Sequence, residues 1–281
     1  MGIQIEDNFE DVLNKAARGQ GLSLASLVER TGLSRSAIQH LLEGQLNLPH
    51  LRQLASALGL AADKLAAMAE GAWYPSPVSI EGLRAYNTAC PVPGYVEMTV
   101  NNYLIYDPAT RAGVLFDTGA DPEQLLADLE RESLQLKALF LTHTHRDHLA
   151  AYREIIDATG CACYTPAAEP ISSAQPVVAG ASFQFGGLGI SARDTSGHSA
   201  GGTTYLVEGL KEAIAVVGDS IFCLSMGKAY GAYEQALRNN REQILSLPAT
   251  TILCPGHGPM TTVAEQHAFN PFFGSSAEAP R

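Results

Sequence analysis

A short run of histidine and aspartate after an apolar stretch constrains this chain more than any other feature. Residues 137–142 have the pattern of a buried strand, and the sequence His-Thr-His-Arg-Asp-His follows directly. Because alternate residues of a strand project to the same side, we expect His143 and His145 to share one metal ion. Asp147 and His148 follow where the chain leaves the strand, so we expect them to face a second ion.

Three further candidate ligands occur downstream, each in a turn that follows a β-like run. His198 lies in the sequence Thr-Ser-Gly-His-Ser, Asp219 follows an apolar run, and His257 lies in Pro-Gly-His-Gly-Pro. Loops at the strand ends of one rigid scaffold are the usual source of ligands for open metal sites. A lone histidine is usually an ordinary core or surface residue, but five of the eight histidines fall into this pattern. A metal site is therefore the better interpretation.

Composition and charge narrow the class of protein. The chain has 281 residues, of which 46% are hydrophobic and 17% charged, so it can bury a sizeable core and is not a disordered chain. The net charge of -11 argues against a surface that follows nucleic acid or an anionic membrane. No apolar run is long enough for a membrane span. Five scattered cysteines and the absence of a secretory signal favour free thiols and a cytoplasmic location.

The organisation of the chain changes near residues 75–77, where two closely spaced prolines favour an extended connector. Residues 1–75 read as short helices and carry a net charge of -2, whereas residues 76–281 alternate β-type runs with helices and carry -9. We therefore expect an α+β protein of two domains. All seven candidate ligands lie beyond the connector, so we expect the helical part to be separable from the chemistry.

Within the helical part, two short helices are predicted on either side of a glycine. Apolar residues share one face of residues 24–28, Gly32 interrupts the pattern, and the spacing resumes over residues 38–42, with Ser34 as the predicted N-cap. Further helices are predicted over residues 48–57 and 63–70. Two short helices joined by such a turn make a helix-turn-helix.

The helical part resembles the phage-repressor-like helix-turn-helix family over about Glu10 to Glu70, with the matching residues at 24–39. The resemblance implies that the second helix enters the major groove of DNA. The residues that would then face DNA are Ser34, Arg35, Ser36, Gln39 and His40. Arg35 has little cationic support nearby, and phosphate neutralisation supplies much of the affinity for DNA. A helical bundle used for dimerisation or partner contact therefore remains the alternative, and we expect a homodimer.

The histidine and aspartate pattern resembles the metallo-β-lactamase superfamily from about Tyr95 to Phe273. The resemblance implies a four-layered αβ/βα sandwich that binds two divalent ions, zinc first, with iron or manganese as alternatives. It assigns one ion to His143, His145 and His198, the other to Asp147, His148 and His257, and a bridging role to Asp219. Two neighbouring cations repel each other, so a shared carboxylate is electrostatically required.

Finer features favour one branch of this superfamily. True class B β-lactamases have Cys or Ser near the position of Asp219, whereas Asp is typical of glyoxalase II, lactonase, RNase Z-type and persulfide dioxygenase relatives. Residues 101–106 and 114–119 resemble the opening hairpin of glyoxalase II-like enzymes, in which Asp117 would support the metal site from behind its ligands. The chain ends soon after Phe273, so we expect no C-terminal domain for binding a thiol cofactor, which argues against glutathione thioesters.

These features predict a dinuclear metal-dependent hydrolase of a small ester, thioester or lactone. Asp147 would act in catalysis by orienting the nucleophile as well as binding metal. The insertion between the last two ligands offers candidate substrate contacts at Lys228, Tyr230 and Tyr233. A solvated loop lysine is an equally good interpretation of Lys228.

Two alternatives remain open. A single-iron persulfide dioxygenase would use only His143, His198 and Asp219, a set that matches the facial triad of iron enzymes. A DNA-binding regulator would use the metal domain to sense a metabolite and residues 1–75 to bind DNA. The metal content separates the first alternative from a two-ion hydrolase.

Overall fold

The computed structural model describes residues 2–92 and 96–274, so Tyr95, where the resemblance begins, lies outside the described residues. Helices come first, namely α1 (Phe9–Gly19), α2 (Leu24–Thr31), α3 (Arg35–Leu42), α4 (Leu48–Ala57) and α5 (Ala62–Ala69). The predicted bounds of α4 are confirmed, and those of α5 are confirmed to within one residue. Ser34 caps α3 as predicted, because its hydroxyl accepts a hydrogen bond from the backbone N–H of Ala37.

Two six-stranded sheets follow. The first contains, in spatial order, β1 (Leu83–Ala89), β2 (Thr99–Tyr106), β3 (Ala112–Phe116), β4 (Gln135–Phe140), β5 (Ala162–Pro166) and β6 (Gln175–Val177). In the second sheet, too, each strand lies beside the next one in sequence. Its strands are β7 (Ser182–Phe185), β8 (Leu188–Asp194), β9 (Thr203–Glu208), β10 (Ile214–Gly218), β11 (Ile252–Pro255) and β12 (Thr261–Thr262). Strands β2 and β3 pair as the predicted antiparallel hairpin.

Helices cover the outer face of each sheet. The first sheet packs against α6 (Glu123–Arg131) and α7 (Tyr152–Thr159), and the second packs against α8 (Tyr233–Asn239) and α9 (Val263–Phe269). Aromatic side chains, among them Phe116, Phe140 and Tyr205, fill the space between the sheets. Their burial drives the sheets together through the hydrophobic effect. The predicted α+β sandwich of four layers is therefore confirmed.

The N-terminal helices pack onto this sandwich. Leu13 of α1 and Leu51 of α4 belong to the same buried hydrophobic cluster as Val217, which lies in β10 of the second sheet. Trp73 stacks on Phe269 of α9, with 4.2 Å between ring centroids. A shared hydrophobic core argues against the expectation that the helical part is separable, because removing it would expose one face of the sandwich. A boundary near residue 75 stays a prediction.

The exposed face of α3 carries the residues that we predicted to face DNA. Ser34, Arg35, Ser36, Gln39 and His40 are all exposed, while Ile38 and Leu41 on the opposite face are buried. The five residues are therefore available to a partner, and DNA binding stays a prediction. Across residues 2–92 and 96–274, none of the helices has both the length and the apolar character that crossing a membrane requires.

Candidate metal centre

The loop after β4 supplies the first ligands. Strand β4 ends at Phe140, so His143 and His145 lie in a loop, and our expectation that strand alternation aligns them was wrong. The loop still brings them together, because Nε2 of His143 lies 3.1 Å from Nδ1 of His145. Asp147 and His148 follow in one turn of 3₁₀ helix, and the ring of His148 lies beside that of His143, with 4.1 Å between centroids.

The other ligands leave neighbouring strands of the second sheet. Asp219 directly follows β10 and His257 follows β11, and these strands are parallel, so both residues emerge at the same edge. His198 lies in the turn between β8 and β9. A Cβ at Gly227 would collide with the carbonyl oxygen of Asp219 and lie 2.8 Å from Nδ1 of His198, so glycine lets that loop close over the site.

The seven predicted ligands form two groups. In each group, the candidate donor atoms lie within 4.8 Å of one another. The first group consists of His143, His145, His198 and Asp219, and the second of Asp147, His148 and His257. In the second group, Oδ2 of Asp147 lies 3.2 Å from Nε2 of His257 and 3.8 Å from Nε2 of His148. The structure therefore brings together every candidate metal ligand that the sequence selected.

Asp219 faces both groups. Its Oδ2 lies 3.4 Å from Nε2 of His198 in the first group and 3.6 Å from Nε2 of His257 in the second. Its Oδ1 lies 3.3 Å from Nε2 of His148. A single carboxylate between two ligand sets is the arrangement that two neighbouring cations require, because its charge offsets their mutual repulsion.

In four of the candidate histidine ligands, a contact at Nδ1 sets the orientation of the imidazole ring. Nδ1 of His257 lies 2.6 Å from the carbonyl oxygen of Thr99, and Nδ1 of His198 lies 3.0 Å from that of Lys228. Nδ1 of His143 lies 3.0 Å from Oγ1 of Thr142, and Nδ1 of His148 lies 2.8 Å from Oδ2 of Asp117. These contacts occupy Nδ1 and leave Nε2 free for a metal ion, which fixes both the tautomer and the ring orientation.

Asp117 lies behind the second group, as the sequence predicts. Its carboxylate accepts hydrogen bonds from the backbone N–H and the hydroxyl of Thr142, each at 2.8 Å, besides the contact with His148. The residue has a φ of 55°, an uncommon conformation for a residue other than glycine. Three contacts therefore hold Asp117 in this conformation at the end of β3, and one of them orients His148.

The donors fit a divalent metal pair. Among the described residues, Nε2 of His148 and Oδ1 of Asp219 are buried without a hydrogen-bond partner, although they lie 3.3 Å apart. Burial alone would raise the pKa of Asp219, but His257 and His148 hold it well below its usual range, so the carboxylate is anionic. Imidazole nitrogen and carboxylate oxygen together suit zinc, iron or manganese.

Glu169 contributes to the site although the sequence did not single it out. Its Oε2 accepts hydrogen bonds from the backbone N–H and hydroxyl of Thr144 at 2.8 and 2.9 Å, and its Oε1 accepts one from the N–H of Gly201 at 2.7 Å. It thereby joins the loop of His143 and His145 to the loop of His198. No local motif marks such a residue, because it connects loops that are distant in sequence.

The candidate substrate contacts separate into two kinds. Lys228 and Tyr230 are exposed on the loop that passes His198, so their role in binding substrate stays a prediction. Tyr233 is buried in α8, and its ring lies against Gly19 of α1 and Phe272. Tyr233 was therefore wrongly assigned as a substrate contact, because it packs between the helices and the sandwich.

Comparison with known proteins points to one family. The model of the metallo-beta-lactamase superfamily matches residues 96–257, which include all seven candidate ligands. Hydroxyacylglutathione hydrolase of Brucella ovis is 30% identical over 162 residues, which cover 56% of this chain and 62% of that protein.

Two solved structures resemble the sandwich. The B3 metallo-beta-lactamase BLEG-1 is 28% identical, with a TM-score of 0.57 over 68% of this chain and 100% of that chain. ETHE1 from Myxococcus xanthus is 27% identical, with a TM-score of 0.54 over 61% of this chain and 78% of that chain.

Proposed function

Since the chain belongs to the metallo-beta-lactamase superfamily and is a metallo-hydrolase by its relatives, we propose that it hydrolyses a small ester, thioester or lactone at two divalent ions. The observation that carries the proposal is the position of Asp219, whose carboxylate lies between the two ligand groups. The similarity to hydroxyacylglutathione hydrolase supports an acyl compound as the substrate. Zinc is the expected metal, with iron or manganese as alternatives.

In this proposal the first ion is held by His143, His145 and His198, and the second by Asp147, His148 and His257. Such a metal pair supplies the Lewis acidity that makes water nucleophilic at neutral pH and polarises a carbonyl. Asp147 contributes a carboxylate 3.2 Å from Nε2 of His257, where its second oxygen can accept a proton from the attacking water. The outer contacts of the histidines keep the ligands from rearranging as charge develops.

The exposed loop residues Lys228 and Tyr230 are proposed to contact the acyl substrate. They follow Gly227, which lies against the first ligand group, and Nδ1 of His198 contacts the carbonyl oxygen of Lys228. A substrate that reaches the metal centre over His198 would pass both side chains. Their contribution would lie in affinity and not in the chemical step.

The proposal is tested with anaerobically purified protein loaded with zinc, iron or manganese. Its hydrolysis of a panel of thioesters, lactones, aryl esters and β-lactams is measured before and after chelation. We expect turnover of an acyl ester class that chelation abolishes and metal restores. β-Lactams belong in the panel because of the similarity to BLEG-1, although Asp219 argues against them. A fully metal-loaded protein that hydrolyses no member of the panel would contradict the proposal.

A second candidate is a single-iron persulfide dioxygenase. The observation that favours it is that the first group includes His143, His198 and Asp219, which are the two histidines and one carboxylate of a facial triad. Oxygen consumption with a glutathione persulfide, at one iron per chain, would favour it over hydrolysis.

DNA binding through residues 1–75 is kept as a separate proposal. It rests on the exposed outer face of α3, which carries Arg35, Gln39 and His40. Salt-dependent binding of the full chain to operator-like duplexes, weakened by Arg35→Ala, would support it. Equal binding by the substituted chain would contradict it. A homodimer, the expected assembly, is tested by measuring the molar mass in solution.

A further inference from the structure

The segment that leads into α1 lies against the last ligand loop. A Cβ built on Gly258, which directly follows His257, would lie 3.3 Å from the backbone nitrogen of Glu6 and 3.5 Å from its Cβ. The carbonyl oxygen of Gln4 would be 3.6 Å away. Gly258 has a φ of 75°, so glycine serves both the turn and the close approach. The N-terminal segment therefore forms one wall beside the second ligand group.

A buried ion pair fixes this segment in place. Lys15 of α1 pairs with Asp7, and both side chains are buried. The ammonium group also donates to the carbonyl oxygen of Met226 at 2.9 Å and lies 4.9 Å from the ring centroid of Phe222. The Phe222 ring in turn lies against His257, with 5.8 Å between centroids. Removing one partner of a buried ion pair is strongly destabilising, so the pair of Lys15 and Asp7 is expected to stay formed. It therefore holds residues 6 and 7 next to the metal centre.

The side chain of Glu6 takes no part in these packing contacts. The residue is exposed, unlike its neighbour Asp7. Its backbone nitrogen and Cβ lie beside Gly258, which directly follows His257, so the exposed side chain leaves the backbone next to the second ligand group. An exposed anion beside a reaction centre repels anionic substrates and favours neutral or cationic ones.

We propose that Glu6 is a specificity-determining residue that discriminates against acyl substrates carrying a carboxylate, an inference that rests on the hydrolysis proposed above. The substrate class is then a neutral or amine-bearing acyl compound. The N-terminal helices serve the chemistry by carrying this wall, since α1 anchors it through Lys15.

The test compares two matched esters, mono-4-nitrophenyl adipate, which bears a carboxylate, and its neutral methyl ester. The assays are run at about pH 8.5, well above the usual pKa of a glutamate side chain, so that Glu6 and the carboxylate of the ester are both ionised. Glu6→Gln should raise kcat/KM for the anionic ester about tenfold, because it removes a repulsion at short range. It should change kcat/KM for the neutral ester less than about twofold.

Two variants serve as controls. Glu29→Gln makes the same charge change at an exposed position of α2 and should leave the ratio of the two esters unchanged. Glu6→Asp keeps the charge and should retain most of the discrimination. An unchanged ratio in Glu6→Gln, with both esters hydrolysed, would overturn the role of Glu6 and leave the proposed hydrolysis intact.

A binding measurement separates this role from turnover. Hexanohydroxamate and adipic monohydroxamate bind metal through the same group, but only the second carries a carboxylate. With zinc-loaded protein, Glu6→Gln should tighten adipic monohydroxamate about tenfold and leave hexanohydroxamate unchanged. That result, with no ester hydrolysed by any form, would uphold the role of Glu6 and overturn the hydrolysis. Equal effects on both hydroxamates would overturn the role of Glu6.

Discussion

The two ligand groups differ in how the fold supports them. The histidines of the second group are enclosed, with His148 fully buried and His257 at 4% exposure, whereas His145 in the first group is exposed. His148 and His257 are oriented by Asp117 and by the backbone of β2, which belong to the core. His198, in contrast, is oriented by the carbonyl oxygen of Lys228 on an exposed loop.

This difference indicates which side of the site admits substrate. The first group carries the exposed side chain of His145, and the exposed Glu6 lies beside the ligand loop of the second group, so we expect substrate to reach the ions over the first group and to pass Glu6 at the edge of the second. The division into two ligand groups also distinguishes the two proposed reactions, two-ion hydrolysis and single-iron dioxygenation. A one-iron enzyme needs only the first group, and a two-ion hydrolase needs both. Substitutions in one group at a time therefore test the proposed function.

Asp219→Ala should have the largest effect, because it removes the carboxylate that both groups share. We expect ester hydrolysis to fall on the order of 1000-fold and metal content to fall below two ions per chain. Asp157→Ala, on an exposed position of α7, serves as the control and should retain both. Two bound ions and near-normal turnover in Asp219→Ala would break the dinuclear assignment.

His148→Ala should act on the second group alone. We expect hydrolysis to fall about 100-fold or more, while one ion per chain stays bound at the first group. If His148→Ala keeps its iron and still consumes oxygen with a glutathione persulfide, the single-iron dioxygenase is favoured. Circular dichroism checks the fold, because His148 is buried and contacts Asp117.

Asp117→Asn should weaken the second site without removing a ligand. The amide keeps the shape but loses the charge that holds the Nδ1 proton of His148, so affinity for the second ion should fall about 10- to 100-fold. Competition with a chelator measures the two affinities separately, and Asp157→Asn is the matched control. Because Asp117 also holds the Thr142 hydroxyl that contacts His143, we expect a smaller loss at the first site, and an equal loss at both sites would contradict a role centred on the second group.

Glu169→Gln should have the smallest effect and should fall on the first group. An amide group retains one acceptor, so the loops of His145 and His198 lose part of their shared anchor, and stability should fall by about 1 kcal/mol. Denaturant unfolding measures this change, with Glu154→Gln on the exposed face of α7 as the control. A larger loss of the second ion than of the first would contradict the separation of the two groups.

The ligands were predictable because their chemistry is confined to short motifs. His143, His145 and His148 occur in one run, and His198, Asp219 and His257 each occupy a turn after a strand, so spacing and residue type sufficed. Reading the first pair as strand residues gave the wrong local structure, because the chain leaves β4 at Phe140 before it reaches them.

Contacts between distant segments were not predictable in this way. Glu169 joins two loops, Lys15 reaches Met226 across the molecule, and Glu6 meets Gly258, and no periodicity records such pairs. The prolines near residue 75 indicated a connector, but a connector does not reveal whether the parts that it joins share a core. The interpretation of the helices as a separable unit therefore stays a prediction, which the shared core argues against.

Metal content of the unsubstituted chain tests the central claim most directly. The protein is purified anaerobically without added metal, and its metals are quantified against protein concentration by mass spectrometry. The position of Asp219 between two complete ligand groups predicts two divalent ions per chain, with hydrolytic activity proportional to occupancy of the second. A single iron per chain, with the second group empty in fully active protein, would contradict the account.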